Sequence, residues 1–274
     1  MYPILFKLWL PWIGEVPVKS FGVMVMLGVV CGSLWLGRAL RRLGVQDRDA
    51  ASDLVTWSVI TGLLGARWTY LAIHPDALRD PLDLIALWRG GIVSYGGFFG
   101  GALGAIAWAR RRKLPVARVG DALMPALFLG QAFGRIGCFL VGDDYGRPWD
   151  GPWAVAFPAR EGGLIPEHLV GLPLHPSQLY LCAMNVLIFA SMAWLFARRR
   201  WDGQVLVTTM LLYALGRFLV EFTRGDDAAR GFLGALSTAQ WWSVATAAIA
   251  LLAWLRLRGR SLVVAAPTGR VGAP

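Results

Sequence analysis

The chain has 274 residues, of which 56% are hydrophobic and 16% charged, with a formal net charge of +10. A soluble domain of this length could not bury that much apolar surface, whereas a lipid bilayer absorbs it. The basic residues fall in short clusters between apolar runs with no nucleic-acid-binding module beside them, so the positive charge reads as membrane loops and excludes a nucleic-acid partner.

In chain order, residues 1–19 come first, apolar but interrupted by Lys7, Pro11 and Glu15 and lacking an A-x-A-like cleavage site. They predict an interfacial segment with aromatic anchors. Apolar runs long enough to cross a bilayer follow at 20–37, 54–73, 90–109 and 122–142. Residues 143–175 are Gly/Pro/Trp-rich and charged, too long for a simple hairpin, and predict a small extracytoplasmic cap. Three more runs lie at 176–197, 203–220 and 231–255, completing the block 176–257, and residues 258–274 form a basic tail. The fold class is therefore all-α and polytopic, with about seven transmembrane helices.

The basic residues set the orientation. Sixteen lie on one side, in 38–50, 110–118, 198–200 and 256–274. Eight lie on the other: Lys7, Lys19, Arg79, Arg89, Arg147, Arg160, Arg224 and Arg230. The positive-inside rule then predicts an outside N-terminus and a cytoplasmic C-terminus, which requires an odd number of spans. Cys31, Cys138 and Cys182 form no CxxC pair and sit in or beside apolar runs, so neither a disulfide framework nor a metal or cofactor site is expected.

Of the 27 basic residues, three remain: Arg67, Arg135 and Arg217, each inside an apolar run. An arginine there costs about 2.5–3.5 kcal/mol on insertion scales, so it calls for a task or a partner. The second, fourth and sixth spans run outward, which puts all three arginines about 5–11 Å below the outer surface at 1.5 Å per residue. Three cations in one layer could ring a single anion. A lipid phosphate is the natural one, because guanidinium forks match its oxygens. The alternative is that each snorkels or pairs locally, as Arg217 could with Glu221 one helical turn away. Glycines bracket Arg135 in Gly134-Arg135-Ile136-Gly137, which favours close approach of a ligand there.

The glycine-rich run 90–101 opens the third span, and small residues at this density usually serve close helix packing. Tyr95 stands out within it, a phenol at the arginines' depth that could donate to phosphate or move a proton. Tyr213 and Arg217 are spaced i,i+4 and share a helix face. Cys138, near Arg135, reads more readily as a small buried hydrophobe than as a nucleophile. His175 begins the fifth span, where histidine commonly caps a helix or bonds the backbone, and His74-Pro75 reads as loop chemistry.

At GRIGCFLVGDDYGRP (134–148) the sequence resembles the prolipoprotein diacylglyceryl transferases. GGIVSYGGFFGG (90–101), HPSQLY (175–180) and YALGRFLVEFTRGDD (213–227) agree in order and spacing, so the resemblance covers nearly the whole chain. It implies an enzyme of the bacterial cytoplasmic (inner) membrane. Such an enzyme transfers diacylglyceryl from phosphatidylglycerol to the lipobox cysteine of an exported preprotein, forming a thioether and releasing glycerol phosphate. The expected partners are phosphatidylglycerol, lipobox-containing preproteins and membrane lipids. By resemblance Arg135 and Arg217 are essential, and Asp143, Gly146, Tyr213, Glu221 and Arg224 fall on other motif positions. Tyr95 and Asp143 join the two arginines as catalytic candidates, and Arg67, Gly137, Cys138 and His175 complete the substrate-binding set.

Departures from the family pattern are Tyr95 for histidine, Cys138 for asparagine, Asp143 for glutamate, Leu181 for the glutamate after HPSQLY, and Phe21 for the tyrosine of the first span. Other readings are a non-catalytic phospholipid-binding or scaffold protein, a transferase acting on another acceptor, and a transporter. The last finds no inverted repeat or broken-helix pair to support it.

Overall fold

The computed structural model describes residues 1–12, 14–226 and 231–258. Arg230, Arg260 and Arg270 of the charge count, and the tail from 259 onward, lie outside them. The described chain is mostly helical, with seven α-helices: α1 (Ser20–Arg42), α2 (Ala50–Ile73), α3 (Ser94–Arg111), α4 (Val116–Val141), α5 (Ser177–Arg198), α6 (Gln204–Val220) and α7 (Thr238–Leu257). Five of them (α1, α4, α5, α6 with its extension to Thr223, and α7) are long and apolar enough to cross a membrane. Two compact units divide the described chain, one of 33–120 and one of 1–32 with 121–258.

The helices overrun the apolar stretches that announced them. Arg41 and Arg42 form the last turn of α1, and Arg110 and Arg111 that of α3. Cations at a helix C-terminus meet the negative end of the macrodipole, so the helix continues into the basic cluster. The run from 231 behaves differently. Its first residues make a short antiparallel pair, β5 (Phe232–Leu233) with β6 (Leu236–Ser237), and α7 begins only where Ser237 and Gln240 form a capping box.

In the larger unit, residues 4–19 are an antiparallel hairpin, β1 (Ile4–Leu10) with β2 (Gly14–Lys19), whose turn uses Gly14 at φ 84°. Phe6, Leu8, Trp9 and Trp12 stand exposed on it. Backbone bonds from Tyr2 N to Leu140 O and from Ser20 N to Pro3 O tie it to α4 and α1. The beginning of α1 packs closely on α4, because a Cβ on Gly28 would lie 2.7 Å from Gly130 O and one on Gly32 would lie 2.9 Å from Ala126 O. Small residues permit such approach where burial of apolar surface gives helices in lipid no extra drive to associate.

Helices α4 and α6 are registered by one carboxylate. Asp121, fully buried, accepts from Gly203 N (2.7 Å) and Leu206 N (2.9 Å), satisfying amides at the start of α6 that the helix itself cannot bond. Further along the same two helices the rings of Phe128 and Tyr213 meet edge-on at 5.3 Å, so the helices run side by side in the same direction. Residues 143–175 fold around Phe157, Leu169 and Leu174, with β3 (Val155–Ala156) paired to β4 (Pro173–Leu174) and Met1, Phe139 and Tyr145 packed against them.

In the smaller unit, α2 and α3 pack backbone to backbone. A Cβ on Gly65 would lie 2.4 Å from Gly96 O, and one on Gly100 would lie 2.2 Å from Thr61 O. Most of the glycine run is thereby accounted for by packing, as its composition suggested.

Candidate active site

Arg135 lies on α4, two turns before its end, and its Nη1 donates to Asp144 Oδ2. The chain reverses between them through Gly142 at φ 79° and Asp144 at φ 53°. Aspartate tolerates this left-handed region better than most side chains, which is how a short loop can turn its carboxylate back onto the helix it has just left. The other oxygen of Asp144 accepts from Arg224 Nη2, and Arg224 in turn donates from Nε to Asp226 Oδ1 (2.8 Å) and from Nη2 to Asp226 Oδ2. Burial opposes ionisation of Asp144, but Arg135 and Arg224 outweigh it and hold the carboxyl below its ordinary range. Burial likewise opposes the Arg224 charge, and Asp226 and Asp144 outweigh it and raise that pKa.

Two glycines allow this. Backbone bonds from Arg147 N to Thr223 O (2.9 Å) and from Gly225 N to Tyr145 O (3.1 Å) cross the 145–147 segment over 223–225. A Cβ on Gly146 would lie 2.2 Å from His175 O, and one on Gly225 would lie 2.7 Å from Arg147 N. Only glycine fits either position without displacing backbone. The crossing is what brings Arg224 to Asp144.

Arg217, near the end of α6, repeats the arrangement with Glu221. Its Nη1 donates to Glu221 Oε2, and Ser237 Oγ donates to Glu221 Oε1 at 2.7 Å. Glu221 is fully buried, so this bond to Ser237 holds the carboxylate as well as the start of α7. Counting from the Phe128–Tyr213 contact, Arg135 lies about 10 Å and Arg217 about 6 Å further along their parallel helices, so they sit within about one turn of the same level. Among the described residues each of these two guanidiniums has one ion-pair partner and meets it through a single Nη. Nε and Nη2 of neither guanidinium are bonded among the described residues.

HPSQLY is the scaffold beneath. Ser177 Oγ bonds Thr223 O (3.1 Å), Gln178 Nε2 donates to Asp143 O (2.7 Å), and Tyr180 OH meets both His175 Nδ1 (3.1 Å) and Trp153 Nε1 (2.7 Å). His175 also stacks on Trp149 at 4.3 Å. Burial, with Arg147 nearby, lowers the His175 pKa.

The remaining candidates are placed as follows. Asp143 is exposed, and its carboxylate accepts from Asp144 N at 2.9 Å. Cys138 is buried, with Sγ 3.9 Å from Asp144 Oδ2. Gly137 packs on Phe21, a Cβ there lying 3.1 Å from Phe21 Cδ2, while beside Gly134 there is open space. Tyr213 packs on Phe128 and makes no hydrogen bond to Arg217 among the described residues. Tyr95 lies in the first turn of α3, in the smaller unit. Arg67, in that same unit, is 2% exposed. Its Nε donates to Asp83 O (2.8 Å) and its Nη1 to Gly90 O, with Gly91 O at 3.3 Å, so local pairing accounts for most of its donors.

Asp144, Asp226, Ser177, Gln178 and Ser237 were not singled out from the sequence. The sequence signal for Asp144 is its place inside GRIGCFLVGDDYGRP, beside Asp143.

Apolar helices long enough to cross a bilayer, two of them carrying arginines within about one turn of the same level, define a helical membrane protein. A family model described as prolipoprotein diacylglyceryl transferase matches residues 8–256, and the chain belongs to that family. Among its relatives, the phosphatidylglycerol–prolipoprotein diacylglyceryl transferase of Bordetella parapertussis is 35% identical over 243 residues, 85% of this chain and 88% of the relative. The one of Nitrosomonas europaea is 36% identical over 254 residues (88% and 87%), and that of Clostridium tetani 29% over 251 residues (92% and 96%).

Proposed function

We propose that the chain transfers diacylglyceryl from phosphatidylglycerol to the lipobox cysteine of exported prolipoproteins in the bacterial cytoplasmic membrane. One observation carries the proposal: Arg135 and Arg217 come to one level on adjacent parallel helices, each with a guanidinium edge unspent. The family's relatives supply the substrate class through their names.

The chemistry suits that geometry. The acceptor thiol loses its proton, its sulfur attacks the glycerol carbon that bears the phosphate ester, and the carbon–oxygen bond breaks. The electron pair leaves with glycerol phosphate, and the thioether remains. Arginines facing the departing oxygens act where negative charge grows, and a cationic neighbourhood lowers an incoming thiol from its ordinary pKa of about 8.5. In the resting site Asp144 and Glu221 compensate the arginine charges, which makes guanidiniums tolerable in an apolar bundle.

In this reading α2 and α3 also cross the membrane, making seven spans, with the N-terminus outside and the C-terminus cytoplasmic. Residues 143–175 then form the outer cap. Asp143 serves the proton, and Tyr213, Gly137, Cys138, Gly146, Glu221, Arg224 and His175 shape the lipid site.

The test is to incubate purified protein with phosphatidylglycerol and a lipobox peptide and to weigh the peptide by mass spectrometry. The wild type should add one diacylglyceryl group. Arg135→Ala and Arg217→Ala should abolish the addition without unfolding the protein, and Arg→Lys should fail too because lysine offers no planar fork. Lipid binding by the wild type without any gain in peptide mass would leave the scaffold reading in its place.

A further inference from the structure

The Arg135 side chain is long, its nearest glycine opens onto space, and among the described residues one hydrogen bond holds it, from Nη1 to Asp144 Oδ2. The groups behind that carboxylate are bonded in turn. The Asp144 amide is held by Asp143 Oδ1, and Asp143 O is held by Gln178 from α5. Its second oxygen is held by Arg224, itself clamped by both oxygens of Asp226 and by the crossing of 145–147 with 223–225. Asp144 adopts φ 53°, a conformation few non-glycine residues take up, and in doing so it points at Arg135.

We propose that Asp144 is a positioning residue for the transfer reaction: its carboxylate joins Arg135 to Arg224 and turns the remaining edge of the Arg135 guanidinium toward the substrate phosphate. Resting on the transferase reading, this adds a residue through which Arg135 acts. An arginine gives up rotamer freedom when it is fixed, and a built-in partner removes that cost before the lipid arrives. Asp144 reaches neither the glycerol carbon nor the thiol in this role, so its removal weakens lipid engagement more than it slows the chemical step.

The variant that tests this is Asp144→Asn, which keeps the size and the left-handed turn but not the charge. In the peptide assay KM for phosphatidylglycerol should rise about tenfold, the scale of losing one charge-assisted hydrogen bond, while KM for the peptide stays put and kcat falls much less. A purely structural ion pair would instead lower the melting temperature and leave KM for the lipid normal in the folded fraction, and that result overturns the proposal. Should Asp144→Asn not fold, Arg224→Gln releases the far end of the same carboxylate and must raise KM for phosphatidylglycerol; an unchanged value overturns the proposal equally. Absence of transfer by the wild type would sink the transferase reading itself. Normal wild-type transfer with an unchanged Asp144→Asn would sink only this inference.

Discussion

Arg67 and Arg135 share a side chain and differ in what surrounds it. Arg67 spends Nε and Nη1 on the carbonyls of Asp83, Gly90 and Gly91 and so staples the loop after α2 to that helix, whereas Arg135 spends one Nη. Asp83, beside Arg67, is itself pulled from 3.8 to about 2, first by the amides of Arg79 and Asp80 and then by Arg89. A carboxyl held below its unfolded value contributes stability at higher pH and loses it as pH falls through the folded value. Pepsin cleavage within 74–93 should therefore accelerate as the pH drops from 3.8 toward about 2. Asp83→Asn should be cleaved quickly across that whole range, and equal resistance of the two proteins would contradict the assignment. The arginines were legible in the sequence because a charge inside an apolar run is conspicuous. Their partners were less so. Glu221 could be read from i,i+4 spacing, but Asp144 meets Arg224 across 80 residues, and no local pattern marks that pairing.

At the scale of elements, the glycines do more than open space for a ligand. Gly100 faces Thr61 O so closely that a Cβ would lie at 2.2 Å, and the atom met is backbone that cannot rotate away. Gly100→Val should separate α2 from α3 and lower stability by about 1–3 kcal/mol or more, read as an earlier thermal transition in detergent. Gly134→Ala, with nothing within 4 Å, should keep the wild-type transition and serve as the control. Helix existence was legible from apolar length, since lipid demands continuous apolar stretches. Helix ends were not, because the basic clusters that close the apolar runs are themselves good helix termini. The hairpin at 4–19 reads in sequence only as an interfacial segment, because its run is apolar on both faces and Lys7, Pro11 and Glu15 give no clean period of two.

For the whole molecule, the charge distribution and the helix count make one joint statement about topology. A single cysteine placed in 158–162, in a background where the three native cysteines are replaced by alanine, should react with a membrane-impermeant maleimide from outside intact cells. One placed at 113–115 should react only after permeabilisation. Labelling in the reverse order would refute the orientation, and reaction of both sites from one side would refute an odd number of crossings between them. The sequence set the class of molecule because composition alone demands a bilayer. It left the crossing of 145–147 over 223–225 invisible, since that feature depends on backbone atoms approaching where Gly146 and Gly225 carry no side chain.

Asp121 gives this arrangement a mechanical consequence. By gripping the first amides of α6 from within α4, it acts as a dowel that prevents one rod from sliding along the other. A slip by a single turn is about 5.4 Å, which would change the relative level of the two guanidiniums. Alignment at one end of the bundle is therefore guaranteed by a pin at the opposite end, and wear at that pin would show itself as lost function rather than lost shape.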